Sequence, residues 1–147
     1  MRRFIDLIFA LGILIALSPL LIVTGILIFF FQGRPVFFQQ ARLGKNHEEF
    51  WILKFRTMTN KKNHKGELLP DKDRITRLGN FLRNTSLDEF PGFWNVLKGE
   101  MSLIGPRPLP PHYLSRYSKD QDRRHEIKPG IIGWAQENGR NAISWEE

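Results

Sequence analysis

Two acids in direct succession, Asp88 and Glu89, are the residues of this chain best suited to do chemistry. Metal-assisted phosphate chemistry needs carboxylates for Mg²⁺, cations for the phosphate oxygens, and a nucleophile or base in line with phosphorus. Asp88 and Glu89 supply the acids, and Lys54, Arg56, Arg83 and Arg107 are candidate cationic clamps. Neighbouring positions on a helical turn point about 100° apart, so one carboxylate can face phosphorus while the other holds a metal. A helix N-terminus adds N–H groups and a positive field suited to phosphate. The same stretch has an ordinary structural reading. Ser86 and Glu89 have the spacing of a capping box, with Asp88 in the first turn against the helix dipole. The two uses conflict at Glu89, because a capping box turns its carboxylate back towards the Ser86 N–H, whereas a metal site turns it towards phosphate.

Composition narrows the setting. The 147 residues suit one domain with a modest core, and the formal charge of +7 points to anionic partners: nucleic acid, phospholipid headgroups or phosphorylated small molecules. With no cysteine, thiol catalysis, disulfides and Cys-ligated metals are excluded. The four histidines, His47, His64, His112 and His125, show no ligand spacing, which argues against a transition-metal site. No Walker A or dinucleotide glycine loop is present, so nucleotidases built on those folds are excluded.

The elements that must position the acids begin with an apolar run from Leu7 to Phe31, long enough to span a bilayer and too long for a cleaved signal peptide. Basic residues flank it on both sides, Arg2 and Arg3 before it and Arg34, Arg42 and Lys45 after it, so the positive-inside rule gives little asymmetry. Ser18-Pro19 falls near its middle. Pro19 has no N–H and its ring clashes with the Ile15 carbonyl, so a kink is expected, with the Ser18 hydroxyl able to re-satisfy the freed backbone. A kinked spanning helix and a helix that bends and returns to the same face remain level on these grounds.

Val36 to Arg42 and Phe50 to Phe55 read as a β-hairpin about Gly44-Lys45-Asn46. A polar loop from Asn60 to Asp73 follows. Ile75, Leu78, Phe81 and Leu82 have helical spacing, with Thr76 as a possible cap. The next helix, starting at Ser86 or Asp88, takes Phe90, Phe93, Trp94 and Leu97 as its buried stripe and stops at Lys98-Gly99. Gly105-Pro106-Arg107-Pro108 holds Arg107 on a stiff extended backbone, and Pro110-Pro111 opens a polar helix reaching about Glu126.

Lys54-Phe55-Arg56-Thr57-Met58, Ser86-Leu87-Asp88-Glu89, Asn95 to Ser102, Gly105-Pro106-Arg107-Pro108 and Pro129 to Gln136 fall in one order. Together they resemble the bacterial sugar transferases, the monotopic polyprenyl-phosphate phosphoglycosyl transferases, over nearly the whole chain. The short layout is similar to the minimal, bacillosamine-type members. The resemblance implies an α+β fold: a re-entrant membrane helix broken at Ser18-Pro19 (residues 1–32), then a small helical catalytic domain with a β-hairpin at the membrane surface (residues 33–147). It implies a Mg²⁺-dependent enzyme that transfers a phospho-sugar from a UDP-sugar to polyprenyl phosphate, releasing UMP, as the first membrane step of bacterial glycan assembly. Asp88 would be the nucleophile, forming a covalent aspartyl phospho-sugar. Glu89 would bind Mg²⁺, and Arg83, Arg107, Lys54 and Arg56 would hold diphosphate or lipid phosphate. The implied location is the cytoplasmic face of the bacterial inner membrane, with lipid and a possible second copy as partners and no nucleic acid. Gly92 and Ile132 stand where the family commonly has Gln and Thr, and family members commonly continue past the Trp145 region. A non-catalytic, membrane-anchored module that binds lipid phosphate or docks a partner is the alternative expectation. A basic nucleic-acid binder is disfavoured, because the basic residues are dispersed among 15 acids with no recognisable signature.

Overall fold

The computed structural model describes residues 1–133; Trp134, Ala135 and Gln136 of the last motif lie outside the described residues, as does everything after them. The N-terminal run forms two helices, α1 (Arg2–Ala16) and α2 (Ser18–Gln32), bent by 60° at the break between them. The chemistry of the bend is the one expected of Ser18-Pro19. Pro19, at the start of α2, has no N–H to give the Ile15 carbonyl, which instead accepts the Ser18 hydroxyl at 2.8 Å. Among the described residues no single helix is long and apolar enough to cross a membrane; the bent pair passes that test together, by length and composition.

Both ends of the pair are tied to the rest of the chain. Arg2 donates to the Ile104 carbonyl and Arg3 to those of Val96 and Leu97. Asp6, only 7% exposed, accepts the Ser102 hydroxyl at 2.8 Å and the Leu103 N–H at 3.2 Å. At the far end, the buried Arg56 guanidinium donates to the carbonyls of Gln32, Gly33 and Arg34. It thereby satisfies carbonyls that the last turn of α2 leaves without helical partners.

Strands β1 (Phe37–Leu43) and β2 (Glu49–Phe55) form the antiparallel hairpin, in register from Phe37 opposite Phe55 to Leu43 opposite Glu49. Its turn is a tight 3₁₀ loop with Asn46 and His47 both at positive φ, 54° and 62°. The outer edge of β2 is paired by a side chain instead of a strand. The Leu53 N–H donates to Asn95 Oδ1 at 3.0 Å, and Asn95 Nδ2 donates to the Trp51 carbonyl at 2.8 Å and to Glu100 at 2.7 Å.

After a short α3 (Asp71–Arg74) comes α4 (Arg77–Asn84), where Thr76 caps the first turn by accepting the Gly79 N–H at 2.8 Å. A Cβ on Gly79 would lie 1.8 Å from the Thr57 carbonyl oxygen, so only glycine lets α4 lie this close to the chain leaving β2. A 3₁₀ turn (Leu87–Gly92) leads into α5 (Phe93–Lys98), which ends as expected at Gly99, in the left-handed conformation. The expected aromatic stripe is only partly right. Phe93 is buried, but Trp94 is 54% exposed, and the inner face is completed by Asn95 and Val96. The α-helical phase starts at Phe93, after the tighter 3₁₀ turn, so a count begun at Phe90 falls out of step.

Strand β3 (Ser102–Ile104) pairs in parallel with β4 (Gly130–Ile132). Gly105 and Gly130 face each other so closely that a Cβ on Gly130 would sit 2.0 Å from the Gly105 nitrogen. The expected continuous polar helix is instead three pieces: a 3₁₀ turn (Pro111–Arg116), α6 (Lys119–Asp122) and a 3₁₀ turn (Arg123–Glu126). The cause is local: Tyr117 is extended, and Ser118 with Gln121 forms a capping box that restarts the helix. The result is a mixed α+β fold with a small hairpin. Among the described residues the core has two clusters, Ala10 of α1 with Phe50, Ile52, Phe93, Val96 and Met101, and Ile28 of α2 with Phe55 and Leu82.

Asn95→Ala strands the Leu53 N–H and the Trp51 carbonyl at once. The expected loss is about 3 kcal/mol of stability, since each buried unpaired group costs roughly 1–3 kcal/mol. Chemical denaturation of the variant against the parent protein measures it.

Candidate active site

Asp88 and Glu89 both lie on the 3₁₀ turn between α4 and α5. Ser86 enters this turn in the left-handed conformation (φ 57°), its side chain makes no cap bond, and its N–H goes to the Arg83 carbonyl at 3.2 Å. The capping box therefore does not form, and the conflict at Glu89 resolves towards the site. Its Oε1 accepts Lys54 Nζ at 2.8 Å and Arg107 Nη2 at 3.0 Å. Lys54 comes from β2, and Arg107 from the proline-flanked segment after β3. That segment is fixed from two sides: the Gly130 N–H donates to the Pro106 carbonyl at 3.0 Å, and Arg124 donates to the Arg107 carbonyl at 2.9 Å.

The two neighbouring carboxyls sit in opposite electrostatic situations. Burial alone would raise the Glu89 carboxyl, but the charges and hydrogen bonds of Lys54 and Arg107 outweigh it and hold it below the ordinary glutamate value. Asp88 is raised. Burial is the main cause, and the Glu89 charge adds to it, against the opposing pull of Lys54 and Arg83. Lys54 is thus the electrostatic neighbour of both acids. Charges alternate along the row Arg83, Asp88, Lys54, Glu89, Arg107. A carboxyl shifted by burial and by a specific charged partner marks a functional-site candidate.

Five of the expected site residues are thereby brought together: Asp88, Glu89, Lys54, Arg83 and Arg107. Arg83 also donates from Nε to Thr57 Oγ1 at 3.0 Å, across the close contact that Gly79 permits. Arg56, expected among the phosphate ligands, instead points to the end of α2 and spends its donors on three backbone carbonyls. Ser18 and Pro19 lie at the helix bend. One cation escaped the sequence reading. Arg42 lines the same cleft as Lys54, Glu89 and Arg107, and donates to the Pro108 carbonyl at 3.1 Å and to Gln40 at 2.7 Å. Burial and the nearby Arg107 charge lower its pKa. The pairing register places it: Gln40 lies opposite Ile52 and Phe38 opposite Lys54, so Arg42 and Lys54 share a face once the strands are paired.

Mg²⁺ prefers hard oxygens and takes one or two carboxylates together with substrate phosphates and water. Glu89 is held ionised, and among the described residues its second oxygen accepts no hydrogen bond, so the donor set fits such an ion.

The family model for the bacterial sugar transferases matches residues 1–147 of the chain. Among curated proteins, the chain is 50% identical over 147 residues to the "uncharacterized sugar transferase EpsL" of Bacillus subtilis, covering 100% of the chain and 73% of that protein. It is 41% identical over 140 residues to the UDP-N-acetylgalactosamine-undecaprenyl-phosphate N-acetylgalactosaminephosphotransferase of Aeromonas hydrophila, covering 92% of the chain and 33% of that protein. With the UDP-glucose:undecaprenyl-phosphate glucose-1-phosphate transferase of Escherichia coli it shares 40% identity over 144 residues, 95% of the chain and 31% of that enzyme. The chain thus spans about a third of the length of these last two relatives.

The raised Asp88 carboxyl carries a stability consequence. A group whose pKa is higher folded than unfolded stabilises the fold fully below its unfolded pKa, and loses that contribution as pH rises through the folded value. Ionised Asp88 therefore weakens the fold at neutral pH. Asp88→Asn is expected to melt at a higher temperature than the parent at pH 7, and at about the same temperature near pH 4. Paired thermal melts across that range test this.

Proposed function

The chain belongs to the bacterial sugar transferase family, and on that premise we propose that it transfers a phospho-sugar from a UDP-sugar to a polyprenyl phosphate and releases UMP. The observation that carries this reading is the pairing pattern of the acids: Glu89 is clamped by Lys54 and Arg107, while Asp88, beside it, is left with a raised pKa. Four cations, Arg42, Lys54, Arg83 and Arg107, surround two carboxylates and leave a positive surplus for a diphosphate.

In the proposed sequence, an Asp88 carboxylate oxygen attacks the phosphorus that bears the sugar. The bond from that phosphorus to the bridging oxygen breaks, and UMP leaves with that oxygen. A phosphate oxygen of the polyprenyl phosphate then attacks the same phosphorus, the bond to Asp88 breaks, and the carboxylate is regenerated. A Mg²⁺ held by the second oxygen of Glu89 would supply charge neutralisation at the diphosphate. Lys54 and Arg107 fix the Glu89 carboxylate in place, so no reorganisation is needed when charge moves to the leaving group. Lys54 and Arg83 stabilise the ionised form of Asp88 against its burial. Arg56 acts at a distance from the chemistry, holding the end of α2 to the domain.

The helix pair is proposed to enter and leave one face of the bacterial inner membrane, the cytoplasmic one. Each 15-residue helix is about 22 Å long, short of the ~30 Å hydrocarbon core. Bent by 60° and set symmetrically with the bend deepest, the pair reaches only about 11 Å into the bilayer, within one leaflet. Exposed apolar side chains line both helices, among them Phe9, Ile15, Ile22 and Phe30. Support for the return to one face comes from the anchors: Arg2, Arg3 and Asp6 at one end and the Arg56-bound carbonyls at the other grip the same body of protein.

Protein supplied with Mg²⁺, a panel of UDP-sugars and polyprenyl phosphate is expected to release UMP with at least one sugar, and Asp88→Asn to lose release by at least about 10³-fold. Full activity in the Asn variant would remove Asp88 from the mechanism. For topology, Arg2→Cys and Lys45→Cys variants in sealed vesicles are expected to react with an impermeant thiol reagent from the same side. Labelling from opposite sides would mean that the pair spans the bilayer.

A further inference from the structure

The histidines that lack ligand spacing along the chain are brought together by the fold. His47, in the β1–β2 turn, and His125, in the 3₁₀ turn after α6, pack with ring centroids 4.6 Å apart. Asp122 completes the group, and one ligand atom from each of the three residues lies within 4.8 Å of the others. We propose that His47, Asp122 and His125 form a site for a divalent transition-metal ion of the Zn²⁺ type, separate from the acidic pair and structural in role.

The strongest support is the state of His125. This residue is 6% exposed, and its Nδ1 lies 3.0 Å from the Gly44 carbonyl. A carbonyl only accepts, so Nδ1 carries the proton, and in the neutral ring Nε2 is the nitrogen with the lone pair. That Nε2 is buried and has no hydrogen-bond partner among the described residues. A buried acceptor without a partner costs stability, and a cation would restore it. Donation of one ring N–H to a backbone carbonyl while the other nitrogen binds metal is the usual support of a histidine ligand.

The other two groups complete the chemistry. His47 Nε2 and Asp122 Oδ1 lie 2.7 Å apart, a hydrogen bond whose proton, donated by the imidazole, a metal ion would displace. Zn–N and Zn–O bonds of about 2.0–2.2 Å put tetrahedral ligands roughly 3.3 Å apart. The three ligand atoms lie within 4.8 Å of one another, so the wider pairs must close towards that distance while His47 Nε2 and Asp122 Oδ1, at 2.7 Å, must open slightly. His47 and Asp122 can supply that movement, because their side chains are 40% and 41% exposed. Two imidazoles and one carboxylate suit Zn²⁺ and not Mg²⁺, with water as the fourth ligand. A bound ion would staple the hairpin turn to the segment that carries Arg124, the residue that holds the Arg107 carbonyl.

The test uses the full chain in detergent, stripped with chelator and kept in excess Mg²⁺, with Zn²⁺ alone as the titrant. The expected result is saturable binding of one Zn²⁺ with a rise in melting temperature, and the intense visible bands of tetrahedral Co²⁺ when that ion is substituted. His47→Ala and Asp122→Asn are each expected to weaken Zn²⁺ binding by at least the ~10–100-fold that even an outer-shell change costs, while Glu89→Gln leaves it unchanged. His125→Ala opens a buried site and can fail to fold, so the two exposed ligands carry the test. Absence of saturable binding, affinity retained in both the His47 and Asp122 variants, or affinity lost in Glu89→Gln would overturn the proposal.

Discussion

The two-cation grip on the Glu89 carboxylate is the interaction on which the rest of the site depends. It joins three separate pieces of chain: the 3₁₀ turn that carries both acids, strand β2 with Lys54, and the proline-flanked segment with Arg107. In a half-buried setting such charges attract far more strongly than in water, and removing Glu89 takes the hydrogen-bonded counter-charge from Lys54 and Arg107 at once. The arrangement also divides labour between two adjacent acids. Glu89 has its charge secured by hydrogen bonds, whereas Asp88, one residue earlier, is kept in partial burial where its charge is less favoured. One backbone turn therefore gives two carboxylates different chemistry.

Each partner reaches this grip through a constraint that is mainly steric. Thr57 and α4 approach to a distance that only Gly79 allows, which brings Arg83 to the Asp88 side. The Gly105 and Gly130 backbones meet in the same way, which sets the direction of Pro106-Arg107-Pro108. Asn95 bonds the outer edge of β2 and so fixes the strand that delivers Lys54. The helix pair belongs to this scheme, because α1 and α2 each bury a residue in one of the two core clusters. Whatever holds the helices also holds the site.

Local chemistry was legible in the sequence wherever a residue type has only one cheap use. Pro19 and Ser18 told of the bend and of the hydroxyl that repairs it, Thr76 of a cap, Gly99 of a stop, and alternation about Gly44-Lys45-Asn46 of the hairpin. What escaped required knowledge of register or of distant contacts. Trp94 faces outward because a 3₁₀ turn resets the helical phase ahead of α5. Arg42 becomes a neighbour of Lys54 only once the strands are paired. Ser86 and Glu89 have a capping-box spacing, yet tertiary cations took the carboxylate. A real box formed at Ser118 and Gln121, in a stretch read as one continuous helix. His47 and His125 lie far apart in the chain, so no spacing rule could have joined them.

Asp88 is proposed to become covalently bonded to the phospho-sugar before the lipid phosphate takes part. Intact-mass analysis of the protein incubated with Mg²⁺ and its UDP-sugar, in the absence of polyprenyl phosphate, tests it most directly. The expected result is a mass increase equal to one phospho-sugar, located by peptide mapping to Asp88, and discharged when polyprenyl phosphate is added. UMP release that strictly requires the lipid acceptor, with no mass increase on Asp88 in its absence, would contradict it.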